Sequence, residues 1–299
     1  MLEYHSVAAL ARGAEERGCT ISELVISDQS AFLEQDRSQL FANMKHNLDI
    51  MRASAVAGND EKLKSRSGLS GGDGYKMGRY ARSGGTSGAA GPISGSFCAA
   101  AMAKAIAIEE CNAGMGRIVA APTAGSCGIL PAAILTMEEF YQTPEEALVM
   151  SLFTAGAIGL VIVREASIAG AEGGCQAECG SAAALAAAAL VELRGGTPTQ
   201  SADACAIAIK NQLGLVCDPV AGLVEVPCVK RNAGGVMCAI AAADMALAGI
   251  KSVIPVDEVI SAMREVGEAL PATLRETAQG GLAVTPTGLA LKQKIFGVP

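Results

Sequence analysis

The sequence predicts a mostly α fold: an Ala/Gly-rich multi-helix domain behind a small N-terminal helical cap, with few short strands. Three observations carry that reading. Beyond residue 91, Ala-rich segments alternate with Gly or Pro breaks, the punctuation of successive helices. Thr143-Pro-Glu-Glu146 and Thr197-Pro-Thr-Gln200 each read as a capping box, with a Thr N-cap, Pro at the first helical position and Glu or Gln three residues on. No strand-helix alternation is regular enough for a parallel sheet, and no repeat of roughly 20 to 50 residues matches itself.

Taken in order, residues 1–65 carry Glu15, Glu16, Glu34, Asp36, Arg37 and Lys45 spaced among apolar positions, which predicts the helices of the cap. The main domain, 66–299, is entered through two glycine-rich pieces, Ser65 to Gly74 and Ser83 to Pro92, read as loops or linker. Helices are expected over 97–112, 128–140, 180–194, 234–249 and 256–269, besides those begun by the two boxes. Strand signals are confined to Arg117 to Ala120 and Leu223 to Val226. Ala147 to Val163 is a run of 17 uncharged residues. It falls short of the ~20 apolar residues of a membrane span and contains Ser151, Thr154, Gly156 and Gly159, so a buried core helix is expected.

Composition narrows the function. The 299 residues are 51% hydrophobic and 3% aromatic, with 35 Gly and no Trp, so Ala, Val, Ile, Leu and Met must pack the core. A net charge of -7 without basic runs gives no footprint for a phosphate backbone, and nucleic acid is not expected as a partner. Ten cysteines are too dilute for a secreted disulfide scaffold, and residues 1–30 lack the pattern of a signal peptide. A soluble protein of the reducing cytoplasm, away from membranes, is the expectation.

Cysteine fills cores as a small hydrophobe, and Cys98, Cys111, Cys205 and Cys238 sit in Ala-rich helical runs suited to that role. Cys175, Cys217 and Cys228 differ, because each has Gly or Pro nearby and is expected at a bend. Three thiols at bends suggest a metal centre with an open position. Separations of 42 and 11 residues do not match paired zinc-ligand spacing, and the two histidines, His5 and His46, lie far away in sequence. An iron-sulfur cluster with one unligated iron suits the set better. Cys179, four residues after Cys175, is the alternative source of a fourth ligand.

Four motifs then point to a family: Gly174-Cys-Gln-Ala-Glu178, the long segment Leu213 to Ala233, Ala121-Pro-Thr-Ala-Gly125 and Leu274-Arg-Glu-Thr277. Together they resemble the alpha subunit of the iron-sulfur-dependent L-serine dehydratases, over nearly the whole chain. The resemblance implies a [4Fe-4S] cluster on Cys175, Cys217 and Cys228, no pyridoxal phosphate, L-serine as substrate, pyruvate and ammonia as products, and a separate beta subunit. Ile295 to Pro299 holds no thiol, so the remaining iron position is expected to receive the substrate. Loops of small residues can aim N–H groups at its carboxylate, which makes Ser70, Gly71, Gly72 and Asp73, then Gly84 to Gly88, then Thr123, Gly125 and Ser126 in the Thr123 to Gly128 loop, the binding candidates. Asp73 is placed to meet the ammonium, and Lys230 or Arg231 to meet the carboxylate or tune the cluster. No residue is assigned as the general base; Asp73, Lys76 and His46 are the titratable candidates, and a partner subunit is the other source.

Three rivals remain at this stage. An iron-sulfur L-cysteine desulfidase would use the same elimination logic. A pyridoxal phosphate enzyme would use Lys76 as its Schiff-base lysine, with Ser83 to Gly91 as a phosphate loop. A non-catalytic sensor would bind the cluster only as a signal.

Overall fold

The computed structural model describes residues 4–83 and 91–297. The described residues form thirteen helices and no strand, and an isolated parallel bridge joins Cys217 to Arg275. Ser6 and Thr20 open α1 (Val7–Glu16) and α2 (Ile21–Leu33) by accepting from the N–H groups of Ala9 and Glu23, which satisfies donors a helix start leaves unpaired. With α3 (Arg37–Gly58), these helices bring Val7, Ile26 and Leu48 into the same core as the Ala-rich helices that follow.

The axis of the molecule is α9 (Ser181–Leu193), buried on every face from Ser181 to Val191. A helix apolar all round has to be enclosed by others. Here α6 (Ile129–Tyr141), α7 (Glu145–Glu165), α10 (Pro198–Lys210) and α11 (Cys228–Leu247) enclose it, brought close by its run of alanines. The uncharged run of the sequence is α7, the one described helix long and apolar enough to cross a membrane; thirteen of its residues are buried, and it packs against α2, α3 and α9. A second hub is α5 (Gly95–Ala113), which meets α3, α6, α11 and α4 (Asp73–Arg82). Glycine permits two of those approaches: a Cβ on Gly58 would lie 1.7 Å from the Ala107 carbonyl oxygen, and one on Gly74 would lie 2.7 Å from the Ala107 Cα. The short α8 (Gly170–Gly173), α12 (Val256–Ala269) and α13 (Pro286–Phe296) complete the chain.

The mostly α expectation holds, and the five helices expected by range are present as α5, α6, α9, α11 and α12. The Thr197 capping box is formed in full, with Thr197 and Gln200 bonding each other's backbone. The Thr143 box is not. Thr143 Oγ1 instead donates to the Met137 carbonyl at the end of α6, and α7 begins one residue later than expected, with Pro144 as N-cap. Neither expected strand forms: 117–120 is irregular, and Leu223 to Val226 is a turn whose backbone bonds are local, Val220 N–H to Val226 O at 2.8 Å and Glu225 N–H to Leu223 O at 2.7 Å. Between the two expected glycine-rich pieces lies α4, whose first two residues, Asp73 and Gly74, end the first piece, and α11 starts six residues before the expected 234.

Candidate metal centre

Cys175, Cys217 and Cys228 come from three separate segments, and each is almost sealed from solvent, at 3%, 3% and 7% exposure. Cys175 leads into a π-helical turn, Gln176–Gly180, that runs directly into α9. The neighbouring Gln176 fixes that turn to the Cys217 approach, because its N–H donates to Leu215 O, its Oε1 accepts from Gly214 N–H and its Nε2 donates to Met263 O, each at 2.9 Å. Cys217 is pinned by the Leu274–Thr277 motif: its N–H donates to Leu274 O at 2.9 Å and its carbonyl accepts from Glu276 N–H at 2.8 Å. Cys228 is not on a loop but is the first residue of α11.

Burial pushes the Cys217 and Cys228 thiols well above their ordinary range, and charge on Cys175 pushes them further. Cys175 is held low instead, first by the Cys179 thiol, whose sulfur is 3.4 Å away, and then by Arg231, against burial. Glu178 lies among these groups. Its Oε2 is 4.0 Å from Cys217 Sγ, and its Oε1 accepts from Thr123 Oγ1 at 2.8 Å. A Cβ on Gly170 would come within 2.8 Å of Glu178 Oε2 and 3.1 Å of Cys217 Sγ, so this close approach tolerates no side chain there.

Among the described residues no three His, Cys, Asp or Glu side chains are grouped tightly enough for a single metal ion. A cluster makes a different demand, since each thiolate takes its own iron and the thiols stand around a larger body. Three buried sulfurs from separate segments, with the Arg231 charge beside Cys175, fit that demand.

The expected substrate residues fall into two groups. Thr123, Gly125 and Ser126 join the thiols: Thr123 Oγ1 is 3.0 Å from Ser126 Oγ, and a Cβ on Gly125 would be 3.3 Å from Glu178 Oε1. Arg231 joins them too, with both terminal nitrogens engaged, Nη1 donating to Val216 O at 2.7 Å and Nη2 to Asp218 Oδ1 at 2.8 Å. Ser70 to Asp73 forms a neighbouring loop. The N–H groups of Gly71, Asp73 and Gly74, at 3.1, 3.1 and 3.0 Å, all donate to the buried carboxylate of Glu110. Gly72 has a left-handed φ of 79°, and Ser70 Oγ donates to Glu225 at 2.9 Å. Asp73 is bonded by Lys230 at 2.6 Å and Lys76 at 2.8 Å, which hold its carboxyl below the usual range. Lys76 points to solvent, and the exposed His46 meets Arg117, 3.4 Å from its Nε2, on the outer side of α3. Gly84 to Gly88, and most of the Ser83 to Gly91 phosphate loop, lie outside the described residues.

Sequence reasoning assigned no role to Glu109, Glu110, Glu178 or Asn232. Burial pushes Glu109 up to about 8, although Cys127 at 3.1 Å and Asn112 at 3.2 Å hydrogen-bond it. The available signal was the acidic pair Glu109-Glu110 inside an otherwise apolar helix, because a buried carboxylate needs fixed partners.

The geometry finds its counterpart in known sequences. A family model described as serine dehydratase alpha chain matches residues 16–283. A probable L-serine dehydratase alpha chain of Bacillus subtilis is 51% identical over 294 residues, covering 98% of this chain and 96% of its own. An L-serine dehydratase alpha chain of Peptoniphilus asaccharolyticus is 54% identical over 178 residues, covering 60% of this chain and 61% of its own. L-serine dehydratase 1 of Escherichia coli is 47% identical over 171 residues, 56% of this chain and 38% of that longer protein. The chain belongs to the serine dehydratase alpha chain family.

Proposed function

We propose that this chain is the alpha subunit of an L-serine ammonia-lyase that converts L-serine to pyruvate and ammonia, working with a [4Fe-4S] cluster held by Cys175, Cys217 and Cys228. The observation that carries the reading is the meeting of three buried thiols with Glu178, Thr123 and Arg231, at a point where the Gly170 backbone packs closely on Glu178 and Cys217. When bound, such a cluster supplies Lewis acidity toward the β-hydroxyl, a poor leaving group. Loss of that hydroxyl and of the Cα proton leaves aminoacrylate, which tautomerises to the imine and hydrolyses.

The chain's own residues order this site. Thr123 turns its hydroxyl proton toward Glu178, which leaves its oxygen to accept from Ser126 Oγ. Arg231 sets positive charge beside Cys175 while fixing both sides of Cys217. Burial favours the protonated form of Glu109 at the Cys127 end of the loop, against the hydrogen bonds from Cys127 and Asn112. The base for the Cα proton we assign to a separate beta chain, in keeping with relatives named alpha chain. The cytoplasm is the proposed setting, supported by ten cysteines that all stand as free thiols.

Anaerobic iron and sulfide quantification with a serine titration tests the reading. Four irons and four sulfides per chain are expected, with pyruvate formed from serine when the beta chain is present. Cys217→Ser is expected to lose iron and turnover together while its far-UV circular dichroism stays unchanged. Full activity in that variant overturns the cluster assignment, and faster sulfide release from cysteine than pyruvate release from serine overturns the substrate.

A further inference from the structure

Asn232 is fully buried and makes three hydrogen bonds to main-chain groups. Its Oδ1 accepts from Gly128 N–H at 2.9 Å, and its Nδ2 donates to Gly125 O at 2.9 Å and to Cys228 O at 3.0 Å. Two of these partners bracket the loop that carries Ser126, next to Thr123, and the third is the carbonyl of a thiol-bearing residue. Asn232 stands four residues after Cys228 on α11, hence on the same face one turn along. The loop approaches closely enough that a Cβ on Gly128 would lie 3.0 Å from Asn232 Oδ1 and 2.3 Å from Ala105 O.

We propose that Asn232 is a positioning residue, which sets the Thr123–Gly128 loop at a fixed distance from the Cys228 thiol and thereby aligns substrate with the metal centre. The inference rests on the functional reading above. The requirement is for one acceptor and two donors on one short planar group, which among side chains of this length only Asn provides. Aspartate keeps the acceptor for Gly128 but turns a lone pair toward the Gly125 and Cys228 carbonyls. Cys228 keeps its place by the helix bonds of α11, so the loop, not the thiol, is what the substitution releases.

Asn232→Asp and Asn232→Ala in the complex with the beta chain test this. The expected result is iron content equal to that of the wild type, kcat/KM for serine lower by about 100-fold, the scale of an ångström's misplacement of reacting groups, and faster amide exchange across 121–128 in metal-free protein. Asn232→Ala covers the case in which the buried aspartate prevents folding, which circular dichroism reads directly. Unchanged kcat/KM with unchanged exchange overturns the proposal. So does a loss of activity that follows iron content while the loaded fraction keeps wild-type KM and kcat, because Asn232 would then serve only the thiol. Failure of the wild type itself to bind iron or turn over serine rejects the functional reading instead.

Discussion

Glu110→Gln probes a carboxylate on α5 that caps another helix. The N-cap of α4 is Gly72, which has no side chain to bond the first N–H groups, and Glu110 takes over that task from across the interface. Its Oε1 accepts from Gly71 and Asp73 and its Oε2 from Gly74, so its charge also faces the positive end of α4. Glutamine fills the same volume but has one acceptor. Its best orientation keeps the oxygen on Gly71 and Asp73 and sets an NH2 against the buried Gly74 N–H. One charge-assisted bond, about 1.5–3 kcal/mol, is lost outright, and two others fall to the strength of neutral bonds, about 1 kcal/mol less each. The lower cost of burying an amide than a carboxylate offsets part of this. A net loss of about 3 kcal/mol remains, worth about 6–12 °C in melting temperature for a chain somewhat shorter than this one. Urea unfolding of metal-free protein, followed by circular dichroism, gives the first number, and hydrogen exchange at residues 71–74 locates it. A midpoint equivalent to less than about 0.5 kcal/mol, with those amides still protected as in the wild type, would refute the capping argument.

Three further substitutions test the packing and its electrostatics. Burial raises the Glu192 carboxyl, although Thr154 Oγ1 donates to it at 2.6 Å and Ser22 N–H at 3.4 Å. With the folded value above the unfolded one, the folded state binds more protons, so this group's stability is present at low pH and is lost as pH rises through the folded value. Glu192→Gln is therefore expected to gain on the wild type as pH rises above the ordinary carboxylate range in urea titrations; a difference independent of pH would count against it. Gly156 is exposed in mid-α7 with nothing within 4 Å of an added Cβ, so Gly156→Ala is expected to stabilise by about 1 kcal/mol. Gly58→Ala drives a methyl into the Ala107 carbonyl, and a fall of about 3 kcal/mol or more in the same urea assay is expected. Equal midpoints for the two alanine variants would contradict the packing at α3 and α5.

What could be read from the sequence was what neighbours along the chain decide. Thr197 caps α10 because its partner, Gln200, is three residues away and nothing else competes. Thr143 has the same local pattern, but the Met137 carbonyl at the end of α6 takes its hydroxyl, and no local rule ranks those partners. The start of α11 was hidden for a related reason: Pro227 and the glycines at 234 and 235 look like breaks, yet Gly235 is needed where a Cβ would come within 2.3 Å of Ile129 Cδ1. The thiols were legible as residues beside turn formers. Their carboxylate neighbours were not, because Glu110 bonds residues 36 to 39 positions away and Glu178 meets Thr123 across 55. Loop N–H groups that read as an anion cradle are instead satisfied by an anion that the protein itself supplies.

The same distances explain why the long motif from Leu213 to Ala233 is so specific. Three thiols separated by 42 and 11 residues must keep a fixed arrangement, although two helices, α9 and α10, lie between the first and the second. The approach to α11 and its first turn enforce it. Glu225 holds Ser67 and Ser70, Lys230 holds Asp73, Arg231 holds both flanks of Cys217, and Asn232 holds the 125–128 loop, while Cys228 supplies a sulfur from within the same stretch. Between them these side chains grip three segments, 67–73, 216–218 and 125–128, and so place all three against one turn. That turn is in turn fixed by α5 and α9, which pack along the rest of α11. A residue in this motif therefore answers to a partner remote in sequence, and a conservative replacement such as Lys for Arg231 would lose the two-pronged hold on Val216 and Asp218 while keeping the charge.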